Sequence, residues 1–123
     1  MSHITHIETK IQFKDGQILR QALQSLGEVG TVIKDYYGKV QAVNMSLHTP
    51  EFQRGIGFKK QASGEFTAMM DEYGCGNRGS SLLNQISQKY IQLYATKAAQ
   101  RQGFHTQAQV KEDGHVKVLA RRY

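Results

Sequence analysis

Residues 80–102, SSLLNQISQKYIQLYATKAAQRQ, carry the longest helical pattern in the chain. Leu82, Leu83, Ile86, Tyr90, Leu93, Tyr94 and Ala98 recur at three- and four-residue intervals. Gln85, Gln88, Lys89, Gln92 and Gln100 fill the opposite face. Such spacing lays one apolar stripe along a 3.6-residue helix and requires a packed partner for it. Gly103 closes the pattern. Short strand-like runs lie on both sides, so this helix divides two strand-rich blocks and points to the α+β class.

Working outward, the helix is preceded by a glycine-rich break, Gly74-Cys75-Gly76-Asn77-Arg78-Gly79. Before that, Arg54 to Lys60 and Glu65 to Met70 read as a hairpin around Ala62-Ser63-Gly64. Pro50 marks a short loop, and a strand runs through Val43, Met45 and Leu47. Val29 to Ile33 reads as another strand, with a turn at Tyr36-Tyr37-Gly38-Lys39. Ile18, Leu19, Ala22, Leu23 and Leu26 give a second helix that starts at Asp15-Gly16 and stops at Gly27. At the start of the chain, Thr5, Ile7, Thr9 and Ile11 alternate with polar residues as in a half-buried strand. Beyond Gly103, Phe104, Thr106, Ala108 and Val110 alternate likewise, Asp113-Gly114 signals a hairpin, and Val116, Val118 and Ala120 make the last strand. The expectation is a single α+β domain over residues 1–123. It has an antiparallel sheet of about six to seven strands with two helices on one face. The halves can be read as β-α-β-β units over about residues 3–48 and 64–122, with an extra strand near residue 56.

The 123 residues include sixteen Lys+Arg and ten Asp+Glu, a formal charge of +6. A 39% apolar fraction with 21% charged residues belongs to a globular chain, not a disordered one. A chain of this size buries roughly two-thirds of its unfolded surface, enough for a core without metal or disulfide staples. Cys75 is the single cysteine, which excludes an intramolecular disulfide and a multi-cysteine metal cluster. No apolar run reaches the ~18 residues of a membrane span. Residues 1–40 carry neither a secretory nor a transit pattern, so the protein is expected to work where it is made, in a compartment indifferent to thiols or reducing.

Three stretches together bring a family into view: Met1-Ser2-His3-Ile4 through Thr9-Lys10-Ile11; Leu83-Asn84-Gln85-Ile86 with Gln88-Lys89-Tyr90; and Gln102-Gly103-Phe104 through Glu112-Asp113-Gly114-His115-Val116. Over nearly its whole length the chain resembles the hypothetical chloroplast reading frame thirty-five family, small proteins of algal plastid genomes and cyanobacteria. The resemblance implies the chloroplast stroma or the cyanobacterial cytoplasm. It brings no activity, cofactor or catalytic residue with it. Members often carry an aromatic cluster with tryptophan before the glycine-rich break; here Met69-Met70-Asp71-Glu72-Tyr73 stands there and the chain has no Trp.

Gly74, Gly76, Arg78, Ser80 and Ser81 hold the ingredients of an anion or nucleotide site: convergent backbone N–H groups, a cation and a helix N-terminus. The Gly-Lys-Ser/Thr ending of a P-loop is absent, and a strand-to-helix connection capped by Ser80 or Ser81 uses the same residues. Cys75 lacks both a second Cys and a sequence-near His, and reads as a passive surface thiol. His3, His6, His48, His105 and His115 read as exposed strand positions, and no metal site is expected. Asp71 and Glu72 are neighbours, so on a strand they point to opposite faces and make a poor acid–base pair. No nucleophile elbow or dinucleotide fingerprint occurs, and neither enzyme activity nor a cofactor is expected.

The positive charge concentrates on two hairpins, with Arg54, Lys59 and Lys60 on one and Lys111, Lys117, Arg121 and Arg122 on the other. If the hairpins share a surface, Tyr36, Tyr37 and Tyr123 could add stacking faces, as in a single-stranded nucleic-acid platform. No RNP aromatics, KH loop or helix-turn-helix accompanies them. The expected function is therefore that of a small accessory or binding protein working through protein–protein contacts on the sheet face opposite the helices. Single-stranded nucleic-acid binding is the alternative, and anion or nucleotide binding at Gly74–Ser81 a third. The partner and oligomeric state stay open.

Overall fold

A computed structural model describes residues 4–9, 11–101, 104–110 and 116–122, the last two stretches by their backbone. The elements are β1 (Thr5–Ile7), α1 (Gly16–Leu26), β2 (Glu28–Lys34), β3 (Val40–Thr49), β4 (Phe52–Lys60), β5 (Phe66–Met70), α2 (Arg78–Arg101), β6 (Phe104–Val110) and β7 (Val116–Arg122). β1 to β5 make an antiparallel sheet in the order β1-β5-β4-β3-β2, and β6 pairs with β7 as a separate two-stranded ribbon. The class is α+β with two helices, but the sheet has five strands where six to seven were expected. Alternation marks a strand and leaves its partner open, and the last hairpin satisfies its ladder within itself. Nor do the halves form equivalent units. β1 pairs with β5, not with a strand of its own half, while β5 and the β6–β7 ribbon lie in different sheets.

α1 begins where the pattern places it. Asp15 caps it, its Oδ1 accepting from the N–H groups of Gln17 at 3.0 Å and Ile18 at 3.1 Å. Ile18, Leu19, Ala22 and Leu23 are the buried stripe. Gly27 ends the helix for want of space: its backbone is extended, and a Cβ there would stand 2.7 Å from the His48 carbonyl oxygen. α2 starts two residues before Ser80, inside the glycine-rich break. Gly79 is buried there, where a Cβ would meet Met70 Sδ at 2.6 Å.

Both helices pack on one sheet face. Ile18, Leu19 and Leu23 of α1 and Leu82, Leu83 and Ile86 of α2 share a core with Met45, Leu47, Ile56, Phe58, Ala68 and Met70 of the strands. Phe13, on the link between β1 and α1, bridges to Phe66 and sits edge-on to Phe58 and to Tyr90, at 5.4 and 5.0 Å between ring centroids. Tyr90 is buried with its hydroxyl accepting from Lys14 N–H at 3.1 Å and Asp15 N–H at 3.0 Å. One α2 side chain thereby fixes the entrance to α1. Among the described residues, no helix is long and apolar enough to cross a membrane.

The other sheet face is partly covered. The β2–β3 pairing shifts between Gly30 and Val32, and the distal half of this hairpin folds over the strands beside it. Ile33 is fully buried yet stands apart from the helix-side core. It packs where Gly57 has no side chain: a Cβ there would meet Val43 Cγ1 at 2.7 Å and Ile33 Cδ1 at 3.1 Å. Farther across, Gln41 Nε2 reaches Met69 Sδ at 3.7 Å. The face expected to receive a partner thus carries a short arm of the chain itself over part of its area, with His6 and Lys59 exposed beside it.

Candidate interaction site

The tip is a tight turn held by its own first residue. Asp35 Oδ1 accepts from the N–H groups of Tyr37 and Lys39, both at 2.9 Å. Gly38, at φ 83°, donates its N–H to the Asp35 carbonyl at 3.0 Å. This is an Asx-turn closed by a left-handed glycine, and it projects Tyr36 and Tyr37 from a rigid base. The rings are 50% and 74% exposed.

Asp71, just past β5, anchors this tip to the sheet. It is 2% exposed, and its Oδ2 accepts from Tyr36 N–H at 2.8 Å while Oδ1 accepts from Tyr73 N–H at 3.0 Å. Arg54 Nη1 donates to the Asp71 carbonyl oxygen at 3.1 Å and stands 3.9 Å from Oδ1. The Arg54 guanidinium also lies over the Tyr36 ring, 5.2 Å from its centroid. Gly55, at φ 90°, falls where the β3–β4 register shifts, and the extra residues there turn Arg54 toward Asp71. Tyr73, 52% exposed, completes the group. Tyr36 meets Tyr37 at 5.1 Å and 83°, and Tyr73 at 4.9 Å and 76°. Tyr36 thus stands edge-on to both of its neighbours.

Of the residues expected to carry charge to a partner, Arg54, Lys59 and Lys60 lie on β4 and Lys117, Arg121 and Arg122 on β7, in two different sheets. Arg54 is committed to Asp71 and Tyr36. Lys59 and Lys60 are exposed at the far end of β4. Lys111, Tyr123, His3 and His115 lie outside the described residues. In the glycine-rich loop, Gly74 (φ 74°) and Gly76 (φ 59°) turn the chain into α2, and Arg78, Ser80 and Ser81 are exposed in its first turn. The carboxylate nearest that turn is the chain's own: Glu72 Oε1 accepts from Ser80 Oγ at 2.6 Å. Arg78 and Ser81 face away into a shallow cavity of about 420 Å³ that they share with Leu26, Pro50, Glu51 and Gln85. Cys75 is half-buried and packs against the core, where a free surface thiol was expected.

His48 departs furthest from the exposed-strand reading. Its Nδ1 faces the Gln53 carbonyl oxygen and its Nε2 faces both the Val32 carbonyl oxygen and Ser46 Oγ, all at 2.9 Å. The ring covers Gly55 and ties β2 and β4 to β3 where the arm departs. Ser46 is fully buried beneath Gly30, so this serine–histidine contact offers a substrate no nucleophile. Among the described residues no group of three or more His, Cys, Asp or Glu is gathered to hold a metal ion.

Sequence reasoning singled out Tyr36, Tyr37 and Arg54 but missed that Tyr73 joins them and that Asp71 holds them together. The local signal for Tyr73 was its place beside the glycine-rich break; Asp71 had none beyond being a carboxylate at a strand end. A family model described as Protein of unknown function (DUF1257) matches residues 20–119, from within α1 into β7 and including every residue of the tyrosine cluster. No curated protein and no solved structure matches the chain.

Proposed function

The chain belongs to that family of proteins of unknown function (DUF1257), and from this premise we propose that it is a small accessory protein whose work is protein–protein contact through the Tyr36–Tyr37–Tyr73 cluster. The carrying observation is the geometry of these rings. Three large, half- to three-quarters-exposed aromatics stand on a turn and a loop clamped by Asp71 and Arg54. Exposed, preorganised tyrosine beside arginine is the composition of interface hot spots, because such side chains bury much area at little cost in ordering. A nucleic-acid platform presents free ring faces to successive bases. Here Arg54 covers one face of Tyr36, and the neighbouring rings stand at 76° and 83° to it. The basic residues, moreover, are divided between two sheets. The plastid or cyanobacterial setting that goes with the family resemblance is part of this proposal.

The test is a photo-crosslinking amino acid placed at Tyr37 and, as a control, at Arg20 on the exposed side of α1. Expressed in the native cell, the position-37 protein is expected to give discrete crosslinked protein bands that the position-20 protein lacks. Identical patterns from the two positions, or crosslinks to RNA alone, would overturn the reading.

A further inference from the structure

We infer that α2 and the β6–β7 ribbon together bind the phosphate backbone of nucleic acid, on a surface other than the tyrosine cluster. The ground is where the net charge resides. Residues 1–72, which form α1 and the main sheet, hold eight Lys+Arg and eight Asp+Glu and are neutral. Residues 73–123 hold eight Lys+Arg against two acidic residues, Glu112 and Asp113, and so carry the whole +6. α2 contains Arg78, Lys89, Lys97 and Arg101 and no acidic residue; β7 contains Lys117, Arg121 and Arg122 and none either. Of the four on α2, Lys97 alone has an ion pair, with Asp15 at 3.7 Å.

The fold gathers part of this charge at one end of α2. Arg101 closes the helix, β6 starts at Phe104, and β7 returns with Arg122 opposite Phe104 and Arg121 opposite His105. Chain reach and strand spacing place the three arginine backbones within roughly 20 Å of one another, although about twenty positions separate them in sequence. A strand of nucleic acid presents several phosphates over that length. The cluster is all arginine, whose planar fork grips a phosphate through two parallel hydrogen bonds. A membrane-binding helix, or the core of a protein interface, sets apolar area beside its cations. On α2 the one large hydrophobic side chain left exposed is Tyr94. Strongly positive and otherwise polar is the character of a nucleic-acid interface.

The whole chain would be titrated into a fluorescein-labelled single-stranded RNA of mixed sequence, with anisotropy read over a series of salt concentrations. Affinity should fall with salt at a log–log slope of about −2, the value for three phosphate contacts on a single strand. Arg121→Ala with Arg122→Ala should cost about tenfold or more at low salt and flatten the slope by about 1.4. Lys59→Ala with Lys60→Ala removes the same charge from exposed positions on β4 and should change affinity by less than about threefold. Arg101→Ala, exposed at the helix end, should by itself flatten the slope by about 0.7, which keeps the test decisive if the double arginine variant melts early. Tyr37→Ala with Tyr73→Ala alters no charge and should leave RNA binding unchanged. Absence of binding at low salt, or equal losses from the arginine and lysine pairs, overturns the inference. So does binding of polyglutamate or of anionic lipid vesicles as tight as that of RNA. A loss of RNA binding in the tyrosine variant overturns it too, because the RNA then sits on the tyrosine cluster.

Discussion

Replacing Asp71 by alanine tests the idea that a single buried carboxylate holds the arm to the sheet. The change removes the acceptor of two backbone N–H groups, Tyr36 at 2.8 Å and Tyr73 at 3.0 Å, and leaves Arg54 without its counter-charge. Stripping one partner from a buried pair costs about 3–5 kcal/mol. The Arg54 side chain is 20% exposed and can recover some hydration, so the lower end, about 3 kcal/mol, is expected. At about 2.1 cal/mol/K of unfolding entropy per residue, a 123-residue domain has about 0.26 kcal/mol/K, and the melting temperature should fall by roughly 12 °C. Calorimetry or thermal circular dichroism on wild type, Asp71→Ala, Arg54→Met and the double variant gives both the loss and the coupling. The double variant should lose clearly less than the two single losses combined, by about 1 kcal/mol or more, because each single change strands the other charge. Additivity within about 0.3 kcal/mol, or an Asp71→Ala loss below about 1 kcal/mol, would refute the anchoring role.

Two further substitutions probe the frame beneath the site. Gly55→Ala puts a side chain at φ 90° and drives its Cβ into the His48 ring, so a loss of at least about 2 kcal/mol is expected; urea unfolding with a midpoint close to wild type would show that His48 does not cap this bulge. Tyr90→Phe leaves the Lys14 and Asp15 N–H groups without their acceptor and should cost about 1–3 kcal/mol. Hydrogen exchange should quicken at those two amides while the α2 core stays protected, and unchanged exchange there would contradict the anchoring of α1 through Tyr90.

Much of the framework was legible from local chemistry. Alternation at Thr5–Ile7, the hairpin arm that ends in Phe66–Met70, the stripe Ile18–Leu19–Ala22–Leu23, the helix start at Asp15-Gly16 and the long pattern through Ile86 and Tyr90 all express preferences carried by neighbouring residues, and the folded chain keeps them. The turn at Tyr36–Lys39 was visible for the same reason: an Asx-turn is closed within five residues. At the glycines the reading stopped short. Gly57 sits in a strand because Ile33 and Val43 fold down onto it, and Gly55 because a bulge and the His48 ring need its left-handed backbone. Nothing next to either glycine in sequence announces those neighbours.

The sequence by itself therefore determined most of the strand and helix segments, the excess of positive charge and the turn that holds Tyr36 and Tyr37, since each depends on residues a few positions apart or on composition alone. Only the tertiary structure decided that β1 joins β5, that the last hairpin stands outside the main sheet, and that the β2–β3 arm closes over one face. It also decided that Arg54 serves Asp71 instead of a free basic patch, with Tyr73 brought in from a distant loop. These outcomes rest on contacts between residues tens of positions apart. Their energies depend on shape and desolvation once the chain has closed, and local pattern carries no record of either.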